Sequence, residues 1–542
     1  MEGPRPASHG HVESGEVPAG AAPVPGGSHG PNSTLAPVNP RIETLCELSL
    51  PEVREYAGLH RYDGEVQDLS PAGVEARLGR LGQGPPEPDR HDQAHLQAEE
   101  AGARAAFGLL QEHRRNPLYH LDNLDVAVYD REYAPKEHRD EARRRHLSRW
   151  PDAVDAAIGA LDRVPAVVAG ALLPATRGLA AVVEPGRTAD SATCDAALEA
   201  HGRLVSHLER AASAGGPDAS IGAAGLAALM GEGNATAVDL GRLALRADAE
   251  RDRVTALLEE ACSRLAPGRP PEDLVAELAR DHPDAEGIQA EARSLIGEAT
   301  AFTLDHDLIP DPGGECLVGP APPSRRWAMA MMSWAAPHEE DAPSWYYVTP
   351  PDPGWPAEEQ EEWLAVFSRT TLPAITVHEV TPGHYAHGRL LRSARGDVRR
   401  TFFSSAFVEG WAHYAEELCV EEGFRSEDPR FAIGVFVEAL VRISRLAVAI
   451  GLHTGAMNMD EAVHRFEADA FLRGPAARAE ATRAAYDPTY GRYTWGKLEI
   501  VALRDEARAR WGRRYSHRRF HEALLALGAP PLGLMGDALG ES

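Results

Sequence analysis

Cysteine is scarce and unpatterned in this chain. Cys46, Cys194, Cys262, Cys316 and Cys419 are scattered, odd in number and form no C-x-x-C pair. That excludes a disulfide framework and suits free thiols in a reducing cytoplasm. Long apolar runs are also missing: the patch from Val164 to Leu173 is far too short to span a bilayer. The N-terminus has no charged start followed by an apolar core, so neither export nor membrane anchoring is expected. Positive charge is in deficit, with 55 basic against 82 acidic residues and a net charge of −27. A nucleic-acid partner, whose backbone needs a basic surface, is thereby disfavoured. Alternating β-branched runs are few, which excludes a mainly β architecture.

What is present is a long helical pattern. Residues 1–40 are rich in Gly, Pro, Ser and His with almost no large apolar side chains, so they cannot offset their ordering entropy and are expected to be a disordered tail. Residues 41–308 form a region of Ala/Leu/Arg/Glu periodic segments, with helices expected over His91–His113, Pro135–Leu161 and Ala237–Leu265. Residues 309–542 carry the candidate chemistry and are expected to continue the same fold. They begin with a Pro/Gly-rich stretch containing Ser344-Trp345-Tyr346-Tyr347-Val348-Thr349, which reads as a short strand.

The most informative segment is His378-Glu379-Val380-Thr381-Pro382-Gly383-His384, followed by Glu409-Gly410-Trp411-Ala412-His413-Tyr414-Ala415-Glu416. Two imidazoles and a carboxylate hold a divalent metal while leaving a position open, and water there loses a proton near neutral pH. His378, His384 and Glu409 are the expected ligands, and Glu379 the base that takes the proton. The spacing is unusual. In H-E-x-x-H the histidines lie four apart on one helix, but here position 382 is proline and the second histidine comes six residues after the first. On an ideal helix that places His384 roughly 120° away from His378. Pro382 removes a backbone donor and Gly383 tolerates unusual dihedrals, so a bulge holding two extra residues is expected.

His387, His413 and Glu416 share helical spacing with the ligands and are expected to orient them or to touch substrate. The helix expected over Phe431–His453 carries Glu438, Arg442, Arg445 and His453 as one polar stripe on an apolar cylinder. That stripe faces the catalytic cleft or forms an internal salt-bridge network. In the first case Arg445 or His453 binds a substrate carboxylate, steadies Glu409 or stabilises the oxyanion.

These motifs resemble a large bacterial family catalogued as domain of unknown function 885, whose members carry H-E-x-x-P-G-H and then E-G-W-A-x-Y-x-E. The active-site helix is similar to that of thimet-type oligopeptidases with two extra residues before the second histidine. The resemblance covers roughly residue 45 to near the end. It implies a mainly α, large helical zinc-peptidase-like fold with a minor β element near the active-site helix. Tyr493, in Tyr493-Thr494-Trp495-Gly496, matches the family's late tyrosine, which implies an oxyanion donor. Ala449 and His387 depart from the family pattern. An edge strand beside the motif helix commonly binds extended peptide, which would turn Tyr347 toward substrate; equally, these aromatics only plug the core. The expected activity is hydrolysis of amide bonds in short peptides with zinc (Zn2+). The alternatives are a tailoring enzyme acting on a small amide or ester or using Fe2+, and a non-catalytic binding scaffold.

Overall fold

The computed structural model describes residues 39–183, 190–322, 325–326, 329–339 and 341–540. The expected disordered tail lies, but for its last two residues, outside the described residues. Asn39–Ser542 form one compact unit, mainly helical, with one small sheet of strand order β1-β3-β2. β1 is Cys316–Gly319, β2 is Ala330–Ser333 and β3 is Ser344–Val348. β3 pairs parallel with β1 and antiparallel with β2.

Helix ends follow local chemistry. The Ala/Leu/Arg segment forms Leu240–Leu265, capped by Asp239 accepting from the Arg242 amide. The apolar cylinder runs Pro429–Thr454, from an Asp428 cap to Gly455 in the left-handed region at φ 75°. Two expected helices are divided. Arg90–Ala103 passes into a π-helical turn over Arg104–Leu109 before Gln111 turns left-handed at φ 53°. Lys136–Ser148 stops before Trp150–Ala160, where Pro151 supplies an N-terminal position and no amide donor.

The main core gathers around Trp411, Phe407, Leu440, Phe466 and Phe520, from the C-terminal helices and Leu240–Leu265. A second cluster holds the N-terminal helices around Trp150 and Leu204. A third packs Tyr346 and Val348 of β3 against Leu372, Val380 and Tyr385, so the sheet buttresses the two helices that carry His378 and His384. Among the described residues no helix is long and apolar enough to cross a membrane.

Candidate metal centre

The first motif helix, Leu372–Glu379, ends just past His378, and a second, His384–Leu391, starts at the other histidine. The expected bulge is thus a complete break. Its backbone accounts for both extra residues: Gly383 donates to the Val377 carbonyl and Ala386 to the Val380 carbonyl, each at 3.1 Å and six residues back rather than four. The Thr381–Pro382 peptide is cis. Gly383 passes so close to the preceding helix that a Cβ there would lie 1.8 Å from the His378 carbonyl oxygen. Trp411 donates from Nε1 to the Pro382 carbonyl at 2.9 Å and pins the loop. The two imidazoles meet with ring centroids 4.7 Å apart, nearly perpendicular at 86°.

Glu409 comes from the helix Ser405–Glu421, whose start is capped by the Ser404 hydroxyl accepting from the Phe407 amide. One donor atom each from His378, His384 and Glu409 lie within 4.8 Å of one another, and this is the one such group among the described residues. Glu409 Oε2 is 3.4 Å from His384 Nε2 and 3.7 Å from His378 Nε2. Donors at about 2.0–2.2 Å around a tetrahedral zinc lie roughly 3.3–3.6 Å apart, so the 3.4 Å separation matches that ion, the 3.7 Å one is slightly wide, and the donor set is the one it takes. Glu379 and Glu409 are both partly open to water.

Outside this triad, Glu416 is buried with Oε1 2.5 Å from His378 Nδ1 and Oε2 3.1 Å from Arg442 Nη1. A carboxylate on Nδ1 fixes the tautomer that leaves Nε2 free to coordinate. Burial and Arg442 oppose protonation of His378, yet Glu409 and Glu416 outweigh them and raise its pKa to about 9. The pocket therefore favours positive charge where the ion would sit. Burial works to raise the pKa of Glu409, but the two imidazoles hold it well below the usual carboxylate range.

Tyr493 begins the helix Arg492–Trp511. Its ring lies 6.5 Å from that of His378, at 25° to it, and the Arg442, Arg445 and Arg492 guanidiniums sit 6.0, 5.4 and 5.6 Å from its centroid. Burial and Glu409 raise its pKa above the usual phenol value, so it is a protonated donor at neutral pH. Arg442 and Arg445 form the internal salt bridges that are one of the two expectations for this stripe. Each borders Tyr493, and each is already paired, Arg442 with Glu416 and Arg445 with Glu480 at 2.7 Å.

Four other candidate residues take the following positions. His453 is the penultimate residue of its helix, its Nε2 2.9 Å from the Ala484 carbonyl and its Nδ1 accepting from the Ile221 amide. Eleven residues after Arg442, it shares that residue's face but lies about 16 Å further along the axis. His387 is buried, its Nε2 3.1 Å from the Gly528 carbonyl and its ring against Phe407, so it locks the second motif helix to the C-terminal segment. His413 is buried with Nδ1 3.7 Å from Glu416 Oε2, and neither of its ring nitrogens has a hydrogen-bond partner. Tyr347 lies on β3, the central strand, whose two edges are both paired. Tyr346, its neighbour, is the side chain turned toward the motif helix, 3.4 Å from the Thr376 hydroxyl, whereas Tyr347 stacks on Trp345. Alternation puts the two tyrosines on opposite faces. Trp334, not anticipated, closes the site with its ring 6.2 Å from that of His384. Its indole donates to the Tyr56 carbonyl.

The family model described as "Bacterial protein of unknown function (DUF885)" matches residues 51–539. A solved structure from Shewanella oneidensis, described as a candidate lipoprotein of unknown function, is 20% identical. It superposes with a TM-score of 0.74 over 92% of this chain and 98% of its own. A second, a candidate lipoprotein from Colwellia psychrerythraea, is 16% identical, with a TM-score of 0.72 over 92% of this chain and 96% of its own. Both share the fold. No curated protein matches the chain.

Proposed function

The chain belongs to the bacterial DUF885 family, and within it we propose that this protein is a zinc-dependent hydrolase cleaving amide bonds of short peptides. The reading rests on one observation: three donor atoms converge within 4.8 Å of one another, and the residue next to the first of them is Glu379, a carboxylate none of them needs. A zinc ion in such a site supplies Lewis acidity and acidifies water near neutral pH. Glu379 takes the proton as the water oxygen attacks the carbonyl carbon. Tyr493 donates to the oxygen that gains charge. Glu379 then returns the proton to the departing nitrogen as the C–N bond breaks. Glu416 and Arg442 hold the His378 ring, and a purely structural site has no use for the Glu379 base.

A non-haem iron centre uses the same donor set, but Glu379 would be idle in it. Elemental analysis of the purified chain separates the two: about one zinc per chain, with peptide cleavage that chelation abolishes and zinc restores, supports the hydrolase. Iron as the metal that restores activity transfers the reading to an oxidative tailoring enzyme, and no bound metal leaves a scaffold. On compartment the observations pull apart. Five cysteines outside any disulfide favour the reducing cytoplasm, whereas the descriptions of both structural relatives point to the envelope. Cell fractionation decides between them.

A further inference from the structure

Two cavities of about 280 and 220 Å³ share Glu52 and Asp122 as walls. The larger is bounded by Ser405 and Ala406, at the start of the Glu409 helix, and by Arg492, whose guanidinium lies 5.6 Å from the Tyr493 ring. The smaller reaches Tyr56, whose ring is 6.0 Å from Trp334, the residue that covers His384. No residue of the metal centre lines either cavity; the larger is separated from it by Arg492 and Tyr493, and the smaller by Tyr56 and Trp334.

Six carboxylates against three guanidiniums line the two cavities together. Arg492 is held by Asp487 at 2.8 Å, and Arg325 is paired with Glu55. Among the described residues Glu52 and Asp122 form no ion pair, and Glu112 has one long one, to Arg115. Glu112 is only 3% exposed, its Oε1 accepts no hydrogen bond, and its nearest cation is Arg115 Nε at 3.9 Å. An uncompensated buried carboxylate is costly, and such groups cluster where a ligand supplies the missing charge. Burial also pushes the pKa of Glu112 up to about 7, whereas Glu52 and Asp122 are open to water. These carboxylates do not converge tightly enough to hold a metal among the described residues. Tyr119 lines the larger cavity and Tyr56 the smaller, and aromatic faces attract organic cations.

We propose that this acidic cleft, centred on Glu52, Glu112 and Asp122, is a subsite that holds an ammonium group of the substrate, either its α-amino terminus or a lysine side chain. The word substrate rests on the hydrolase reading; the cation preference does not, and it is measured by binding alone. The full-length Glu379→Gln protein is titrated calorimetrically with four peptides of the form X-Ala-Z-Ala. The N-terminus is free or acetylated, and Z is lysine or norleucine. An ammonium improves affinity by about tenfold or more over the acetylated norleucine peptide, as expected of a charge-assisted contact. Loss of the gain on acetylation assigns the α-amino group, and loss with norleucine assigns the side chain. Adding Glu112→Gln removes most of the preference. Glu52→Gln, at a water-accessible position, repeats the test should the buried substitution fold poorly. Equal affinity for all four peptides, binding of none, or a preference untouched by both substitutions overturns the proposal. Should the wild type cleave nothing while the preference persists, the hydrolase reading falls and the cation site stands.

Discussion

Gly410 and Gly496 lie in direct backbone contact: a Cβ on Gly410 would come within 2.5 Å of the Gly496 Cα, and one on Gly496 within 1.8 Å of the Ala406 carbonyl oxygen. Gly410 follows Glu409, the proposed ligand, and Gly496 is one turn beyond Tyr493. The close crossing of their two helices is what brings carboxylate and phenol to one site.

Gly496→Ala should therefore separate the two helices. Overpacking against backbone costs about 1–3 kcal/mol or more. The expected outcome is a lower melting temperature together with loss of zinc and of hydrolysis. A variant that melts and binds metal like the wild type contradicts the role given to this crossing.

Glu416→Gln tests the hold on His378. Weakening an outer carboxylate typically lowers metal affinity about 10–100-fold, and here it also leaves Arg442 without its 3.1 Å partner. Competition against a chelator of known affinity reads the change. An unaltered zinc affinity would show that Glu416 serves packing alone.

Tyr493→Phe and His453→Ala should behave oppositely. Removing the phenol lowers kcat by about 10²–10³-fold, the cost of a lost oxyanion donor, with zinc content intact. Removing His453, whose bonds run to Ala484 and Ile221, costs roughly 1–3 kcal/mol of stability and leaves kcat alone. Steady-state kinetics beside thermal unfolding distinguish them.

The raised pKa of Glu112 has a consequence for stability. Its folded value of about 7 lies above the ordinary 4.5, so the folded state binds the proton more tightly. The resulting stability is complete below the lower value and is lost as pH rises through 7, by on the order of 3 kcal/mol at most. Glu112→Gln stays neutral at every pH and should melt higher than the wild type at pH 8, with little difference at pH 5. A variant that melts no higher at pH 8 would show that Glu112 is charged and stabilised by partners there.

The parts of the site confined to one stretch of chain were legible in the residues. His378, His384 and Glu409 are recognisable because donor chemistry and a distorting Pro-Gly pair occur together, and Glu416 falls on the Glu409 face by helical spacing. Periodicity alone misplaced His453, since a stripe shared along a long helix says nothing of which neighbours each turn meets. Alternation told that Tyr346 and Tyr347 point apart but not which face of β3 meets the motif helix, a choice made by tertiary packing. The acidic cleft was invisible, because Glu52, Glu112, Asp122 and Asp487 approach only through the fold.

The most direct measurement is zinc content and peptide cleavage of Glu379→Gln side by side with the wild type. The account predicts a full complement of zinc in both, with cleavage lost from the variant by several orders of magnitude, because Glu379 moves the proton and holds no metal. Undiminished cleavage by a folded, zinc-loaded Glu379→Gln protein would contradict it.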